Sequence, residues 1–223
     1  MSERDTAAYT LAEAARYLRL PAATLRSWVL GREYPTAEGG GEFPPLIRPA
    51  SKRPPLLSFP NLIEAHVLRS LRTEHGVPVK ALRDALAYAQ KTLGIDRLLL
   101  RPELRATAGK VFLDRYGELI DLSASGQLAM RQLFNEHLKR IEWDKSNSPV
   151  RLYPFLSVVS SGERPIVINP HIAFGRPVVE RRGVSTSAIV ERIDAGESVE
   201  DVANDYDLGQ AEIEQAILYE RAA

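Results

Sequence analysis

The side chains best suited to chemistry in this sequence are cations and hydroxyls near its beginning, on the second of two short expected helices. Thr24, Arg26 and Ser27 fall within this helix, and Trp28 follows them. Arginine can pair with phosphate or hydrogen-bond a guanine edge, and a threonine or serine hydroxyl can bond either group. These four residues, with Arg19 in the preceding turn, are therefore the predicted contacts to DNA.

Two helices joined by a tight turn would position those side chains. Thr10 followed by Glu13 forms a capping box, which fixes the start of the first helix. Pro21 suits the first turn of the second helix, where its missing N–H is harmless, and Gly31 can end that helix. This spacing predicts a helix-turn-helix whose second helix enters the major groove. A plain pair of packed helices is the alternative.

Residues 31–60 are rich in glycine and proline, and short apolar pieces flank a basic pair, Lys52 and Arg53. This composition predicts a β-ribbon with an irregular basic turn, which would follow the helix-turn-helix as a wing. Lys52 and Arg53 would then contact phosphate or enter the minor groove. A disordered linker is the alternative.

Two further helices are expected after the ribbon. The second has apolar residues at spacings of three and four, so it packs either in the core or against a second copy of the chain. The residues of this seam are Val79, Leu82, Leu86, Ala89 and Leu93.

This order of elements resembles the MerR-type winged-helix DNA-binding domain. The matching segments are YTLAEAARYLRLPAATLRSW, LLSFPNLIEAHVLRSLR and HGVPVKALRDAL, which lie within residues 9–93. In that family an arginine and the next two residues, commonly Arg-Tyr-Tyr, contact DNA. The resemblance implies this role for Arg26, Ser27 and Trp28, although the apolar bulk of Trp28 equally suits a core position.

The middle of the chain predicts a small sheet with one helix packed on it. Strands are expected over 150–159 and 166–168, a hairpin about Tyr116-Gly117, and an amphipathic helix over 126–141. The chain has no cysteine, its four histidines are not at metal-ligand spacing, and no glycine-rich phosphate motif occurs. We therefore expect no catalytic residue, no metal and no cofactor, and a nucleic-acid-processing enzyme is the weakest hypothesis.

Charge is distributed unevenly although 29 basic and 29 acidic residues cancel. Residues 1–101 hold 15 basic and 10 acidic side chains, whereas residues 185–223 hold 2 and 10, a net charge of −8. A basic beginning and an acidic end favour two different partners. Charge balance between packed domains is the alternative.

Three short helices are expected at the acidic end, the last of them carrying Glu212, Glu214 and Glu220. A second helix-turn-helix shape does not by itself confer DNA binding, and these carboxylates would be repelled by phosphates. The sequence thus predicts a protein-binding module with the three glutamates on its partner surface. Arg176, in the turn before the module, is either an anchor of that turn or a further partner contact.

The segments NPHIAFGRPVV, AGESVEDVANDYDL and AEIEQAILYE, which lie within residues 166–221, resemble the DUF433 family. That family is associated with antitoxins encoded beside PIN-like ribonuclease toxins. The longer form, with a MerR-like domain in front, resembles VapB-type antitoxins. The resemblance implies an operator-binding antitoxin with a PIN-like toxin as its partner, and the acidic end would dock on a basic surface of that toxin.

We therefore predict an α+β, mainly α, protein in three parts. These are a winged helix-turn-helix over 1–95, a mixed α/β section for linkage or dimerisation over 96–165, and a trihelical module over 166–223. We expect a homodimer on a two-fold operator that represses its own transcription. No apolar run is long enough to span a membrane and no signal peptide is evident, so a cytoplasmic location is expected. The alternative function is a MerR-like regulator that responds to a small molecule and has no toxin partner.

Overall fold

The computed structural model describes most of the chain outside one long central segment. The described residues are 5–36, 39–74, 78–92, 94, 96–100, 138–154 and 164–222. The predicted hairpin about Tyr116 and all but the end of the predicted helix over 126–141 lie outside them.

The chain begins with the expected pair of helices. A short strand β1 (Tyr9–Thr10) leads into α1 (Leu11–Tyr17), and α2 (Ala22–Leu30) follows after a turn. The capping box is confirmed, because the Thr10 hydroxyl accepts from the Glu13 N–H and a Glu13 carboxylate oxygen accepts from the Thr10 N–H at 2.9 Å. Gly31 ends α2 with a φ of +79°, and a Cβ there would lie 2.6 Å from the Phe43 carbonyl oxygen.

Two hairpins, rather than the single predicted ribbon, follow α2. The first pairs β2 (Arg32–Thr36) with β3 (Gly39–Phe43), and the second pairs β4 (Ser51–Lys52) with β5 (Pro55–Leu57). Strand β1 pairs with β5, which ties the second hairpin to the start of α1 in a sheet of order β1-β5-β4. The predicted ribbon with a basic turn is present as β4 and β5, with Lys52 and Arg53 at the turn, but the glycine-rich run before it forms a strand of a separate hairpin.

Helix α3 (Phe59–Arg69) is central to the N-terminal region, and all eleven of its residues are buried. It continues as a π-helical turn (Ser70–Glu74), and α4 (Val79–Thr92) and a 3₁₀ turn (Leu98–Leu100) follow. The buried carboxylate of Glu64 accepts two hydrogen bonds from Arg97, at 3.0 and 2.9 Å, and one from Asn61. Such pairing is what allows a charge to lie in a core.

The apolar seam of α4 packs in the core of its own chain. Leu82 and Ala89 are each 1% exposed and belong to the same cluster as the buried residues of α1, α2 and α3. The structure therefore favours the core interpretation at these two positions.

The second half of the fold consists of a five-stranded antiparallel sheet followed by three helices. Its order is β10-β9-β8-β7-β6. The strands are β6 (Ile141–Trp143), β7 (Pro149–Leu152), β8 (Ile166–Ile168), β9 (Pro177–Val179) and β10 (Val184–Ser185), and the helices are α5 (Thr186–Asp194), α6 (Val199–Tyr206) and α7 (Gln210–Arg221).

Residues of this sheet take part in three separate hydrophobic clusters, the smallest of which joins Val167 and Val178 to Tyr153. Leu152 and Ile168 pack with the buried residues of the N-terminal region. Ile166 and Val179 pack with the apolar residues of α5, α6 and α7. The architecture is α+β with an N-terminal helix-turn-helix, as predicted. Among the described residues no helix has the length and apolar content needed to cross a membrane.

Candidate nucleic-acid interface

Helix α2 has a buried side and an exposed side. Leu25, Trp28 and Val29 are buried, which places Arg26 in solvent with Thr24 and Ser27 half-buried beside it. Trp28 is only 1% exposed. Its predicted role as a DNA contact is therefore corrected to that of a core residue, since almost all of its side chain lies within the apolar cluster that includes residues of α1 and α3.

A groove of about 520 Å³ runs along the exposed side of α2. Thr24 and Ser27 line it, and the charged members of its described lining are all cations. They are Arg26, Arg32, Arg72, Lys80 and Arg83. A concave surface that gathers cations without acids attracts a polyanion and matches the phosphates of a nucleic acid.

Four different elements supply these cations. Arg26 comes from α2, Arg32 from the first residue of β2, Arg72 from the π-helical turn, and Lys80 and Arg83 from the first turns of α4. Residues three apart on a helix share a face, so Lys80 and Arg83 project together. Of these five cations, only Arg26 was predicted from the sequence. The signal available for α4 was the segment HGVPVKALRDAL, in which both cations recur at that spacing.

The first hairpin supports one of these cations. The guanidinium of Arg83 lies 5.2 Å from the centroid of the Phe43 ring, and that ring stacks on Tyr34 with centroids 4.2 Å apart. Gly41 leaves room for this stack, because a Cβ at that position would lie 2.5 Å from the Tyr34 ring. Burial lowers the pKa of Arg83 from its usual value.

The other predicted DNA contacts lie elsewhere. Lys52 and Arg53 are exposed at the turn between β4 and β5, outside the described lining of the groove. Arg19 faces the C-terminal helix instead: its Nη2 lies 3.5 Å from the Leu218 carbonyl oxygen, and its guanidinium is 5.7 Å from the Tyr219 ring centroid. Burial also lowers the pKa of Arg19. The predicted DNA role of Arg19 is therefore corrected to a contact between the two ends of the chain.

Two of the predicted partner-binding glutamates are engaged within the chain. Glu220 is 9% exposed at its side chain, accepts a hydrogen bond of 2.5 Å from Thr186, and pairs with Arg16 at 3.7 Å. Its role is corrected from a partner contact to an internal anchor. Glu212 accepts from the Gly209 N–H at 2.8 Å and pairs with Arg181 at 3.2 Å.

Most carboxylates of residues 185–222 are neutralised locally. Arg192 pairs with both Glu197 and Asp205. Arg221 pairs with Asp194, and Arg182 pairs with Asp207. Charge balance inside the fold therefore accounts for much of the acidic excess. Of the three predicted glutamates, Glu214 is the one that is exposed and has no ion pair within residues 164–222, as is also true of Glu191 and Glu200.

The turn after β8 presents an aromatic side chain to solvent. Ala173, Phe174 and Gly175 have φ values of +47°, +56° and +75°, and Phe174 is 89% exposed. Arg176, next in the chain, is exposed as well. Non-glycine residues with such backbone angles are strained, and strain of this kind clusters at functional sites.

Glycine is required at position 175 because a Cβ there would lie 2.1 Å from the Tyr9 phenolic oxygen. The turn is thereby held against β1 of the N-terminal region. Among the residues that the structure describes, no group of three or more histidine or acidic side chains is placed to bind a metal ion.

Two family models match separate parts of the chain. Residues 166–219 match the family "Protein of unknown function (DUF433)", and residues 7–86 match the family "Putative DNA-binding HTH domain". The DUF433 region thus starts at β8 and ends within α7, and the other match contains the whole cationic groove.

Two relatives and one solved structure align with this chain over nearly its whole length. The chain is 29% identical to "Putative antitoxin VapB45" of Mycobacterium tuberculosis, over 96% of this chain and 93% of that protein. It is 28% identical to the uncharacterized protein Rv2308 of the same organism, over 96% and 90%. The crystal structure of Rv2018 from Mycobacterium tuberculosis has the same fold, with a TM-score of 0.68 at 24% identity over 95% of this chain and 98% of that one.

Proposed function

We propose that this protein is a DNA-binding antitoxin, which represses its own operon and neutralises a PIN-like ribonuclease toxin. The observation that carries the DNA-binding half is the groove along α2, whose charged lining residues are all cations. The similarity to "Putative antitoxin VapB45" supports the second half. The role is that of a non-enzymatic regulator.

In this proposal α2 enters the major groove of operator DNA. Arg26 reads a base edge or a phosphate, and Thr24 and Ser27 hydrogen-bond beside it. Lys80 and Arg72, which also line the groove, contact the flanking backbone. Lys52 and Arg53 contact phosphate from the turn between β4 and β5, and a homodimer places two such surfaces on a two-fold site.

The turn that presents Phe174 is the proposed contact with the toxin. An exposed aromatic ring gives a large apolar area that a partner pocket can bury, and Arg176 adds a cation that suits the acidic metal site of a PIN-like ribonuclease. Glu214, on the exposed side of α7, is the predicted partner-binding glutamate that remains accessible for a basic surface of the same partner.

Two measurements on the full-length protein test the proposal. The first is a gel-shift titration with the DNA that precedes its own gene, at 50 and 200 mM salt. We expect specific binding that weakens steeply with salt, by about 10³-fold if some six phosphates are contacted. The second is co-expression with the product of the adjacent gene, which should relieve growth arrest and yield a co-purified complex.

The results of these two experiments distinguish the candidate functions. DNA binding without rescue or complex formation would leave a transcriptional regulator with no toxin partner, which is the alternative function. Rescue without DNA binding would leave an antitoxin that does not repress. Failure of both experiments would refute the proposal.

A further inference from the structure

A second concave site lies behind the cationic groove. It is a cavity of about 360 Å³ between α3, α4 and the segment that joins β3 to β4. Its apolar lining includes Pro45, Leu46, Leu86, Ala87, Leu98 and Leu99. A mostly apolar cavity of this size with a few polar groups is typical of a site for a small organic molecule.

Three cationic and two anionic side chains line this cavity, so one of the cations has no anionic counterpart in the lining. Glu64 is bound by Arg97 at 2.9 Å, and Asp96 lies 3.7 Å from Arg48. The fifth charged member of the described lining is Arg83, whose Nη1 is buried and forms no hydrogen bond with any residue that the structure describes. The Arg83 guanidinium lies over the Phe43 ring and has no carboxylate partner among the described residues. A ligand carboxylate in the cavity would supply the missing counter-charge.

We propose that this cavity binds a small organic carboxylate whose apolar body lies among the leucines and whose carboxylate is held by Arg83. A guanidinium donates two parallel hydrogen bonds to a carboxylate, which fixes both the charge and the orientation of such a ligand. The apolar lining excludes inorganic phosphate as the preferred occupant, since that ion has nothing to bury there.

The site is coupled to the groove because Arg83 lines both. A carboxylate that engages Arg83 removes a cation from the surface that faces phosphate. The ligand therefore weakens DNA binding, and DNA weakens ligand binding by the same factor. This coupling rests on the proposed operator binding, whereas the ligand site itself does not.

Benzoate is the first probe, and benzamide is its neutral counterpart of nearly equal shape. Titration of the full-length protein, followed by calorimetry and by the NMR shifts of the leucine methyl groups, should show saturable binding of benzoate. Benzamide and inorganic phosphate should bind at least about tenfold more weakly, which is a difference of about 1.4 kcal/mol.

Three variants locate the site. Arg83→Met keeps the length of the side chain and should abolish the preference for benzoate over benzamide. Ala87→Trp fills the cavity from an exposed position, so it should block benzoate without reducing DNA affinity. Arg26→Ala is the matched control, because it lines only the groove and should weaken DNA binding while benzoate binding stays unchanged.

Benzoate binding that survives Ala87→Trp, or equal binding of benzoate and benzamide, would overturn the site. If both cavity variants behave as expected but benzoate does not alter the DNA affinity of the unmodified protein, the coupling alone would be overturned. Absence of DNA binding in every protein would count against the proposed function, and the benzoate titration would still decide the ligand site.

Discussion

The phenolic oxygen of Tyr219 donates a hydrogen bond of 3.0 Å to the backbone carbonyl oxygen of Tyr17, 202 residues earlier in the chain. Tyr219 is 1% exposed, so this bond is shielded from water. It joins the last helix of the fold to the first helix of the helix-turn-helix. The contacts of Arg19 with Leu218 and of Arg16 with Glu220 lie on either side of it.

Tyr219→Phe should reduce the free energy of unfolding by about 1–3 kcal/mol. The substitution keeps the ring in the core but leaves a buried carbonyl without its donor. Leu218→Ala, at a position 41% exposed, is the neighbouring control and should change stability by less than about 1 kcal/mol. Chemical denaturation of the three proteins measures both values, and equal stability of Tyr219→Phe and the unmodified protein would contradict the expected role of this bond.

Stability should decline as the pH rises above about 10, the ordinary pKa of tyrosine. Burial raises the pKa values of Tyr219 and Tyr9 above that range, and burial with carboxylate neighbours does the same for Tyr153. A raised pKa in the folded state means that the unfolded chain releases these protons first, so alkali favours unfolding. Below pH about 10 these groups should produce no pH dependence. Melting temperatures between pH 8 and 11 measure the effect, which should be smaller in Tyr219→Phe.

Gly175→Ala should destabilise the protein by about 2–5 kcal/mol, because a left-handed backbone angle and a steric clash with Tyr9 add together. Gly183→Ala is a matched control, since Gly183 also has a positive φ, of +66°, but a Cβ there would meet its nearest atom at 3.5 Å. We expect about 1–2 kcal/mol for the control. Tyr9→Phe in the Gly175→Ala background should restore part of the loss. Equal losses of stability at the two glycines would show that the clash with Tyr9 does not contribute to the effect of Gly175→Ala.

Lys80→Ala and Arg26→Ala should have different effects on DNA binding. A phosphate contact through Lys80 predicts equal weakening on all sequences, with the salt dependence reduced by about one charge. A base contact through Arg26 predicts a loss of about 1–3 kcal/mol that is larger on the operator than on random DNA. Lys145→Ala changes an exposed cation at the turn between β6 and β7 and is the control. Gel shifts on both DNAs at several salt concentrations measure all three, and unchanged binding in both groove variants would exclude this surface.

Phe174→Ala should change the free energy of unfolding by less than about 0.5 kcal/mol, because the ring is 89% exposed. If the ring is the anchor for the toxin, affinity in the complex should fall by about 2 kcal/mol or more. Calorimetry with the co-purified toxin measures the change, and Leu30→Ala, which removes an exposed leucine from α2, is the control. A toxin affinity equal to that of the unmodified protein would remove this turn from the interface.

Local signals in the sequence predicted the local elements well. The Thr10–Glu13 capping box and strand β8 both depend on residues close together in the chain. The burial of Trp28 was also open to prediction, since it follows Leu25 at the spacing of one helix turn and is followed by Val29.

The composition of the groove could not be predicted in the same way. Its cations come from α2, β2, the π-helical turn and α4, and only the packing of these elements brings Arg26 near Lys80. The internal role of Glu220 has the same origin, because its partner Arg16 is more than two hundred residues away in the chain. Local charge counts cannot show whether a carboxylate is free or paired.

The five-stranded sheet also determines where the chain can be divided. Strand β8 opens the DUF433 region, yet its neighbour β7 belongs to the segment before it. A fragment that started at Ile166 would expose one side of β8 as an unpaired edge, which is prone to pair with other chains and aggregate. Truncations that begin ahead of β6 would retain both neighbours of β8 and form a more soluble unit for study.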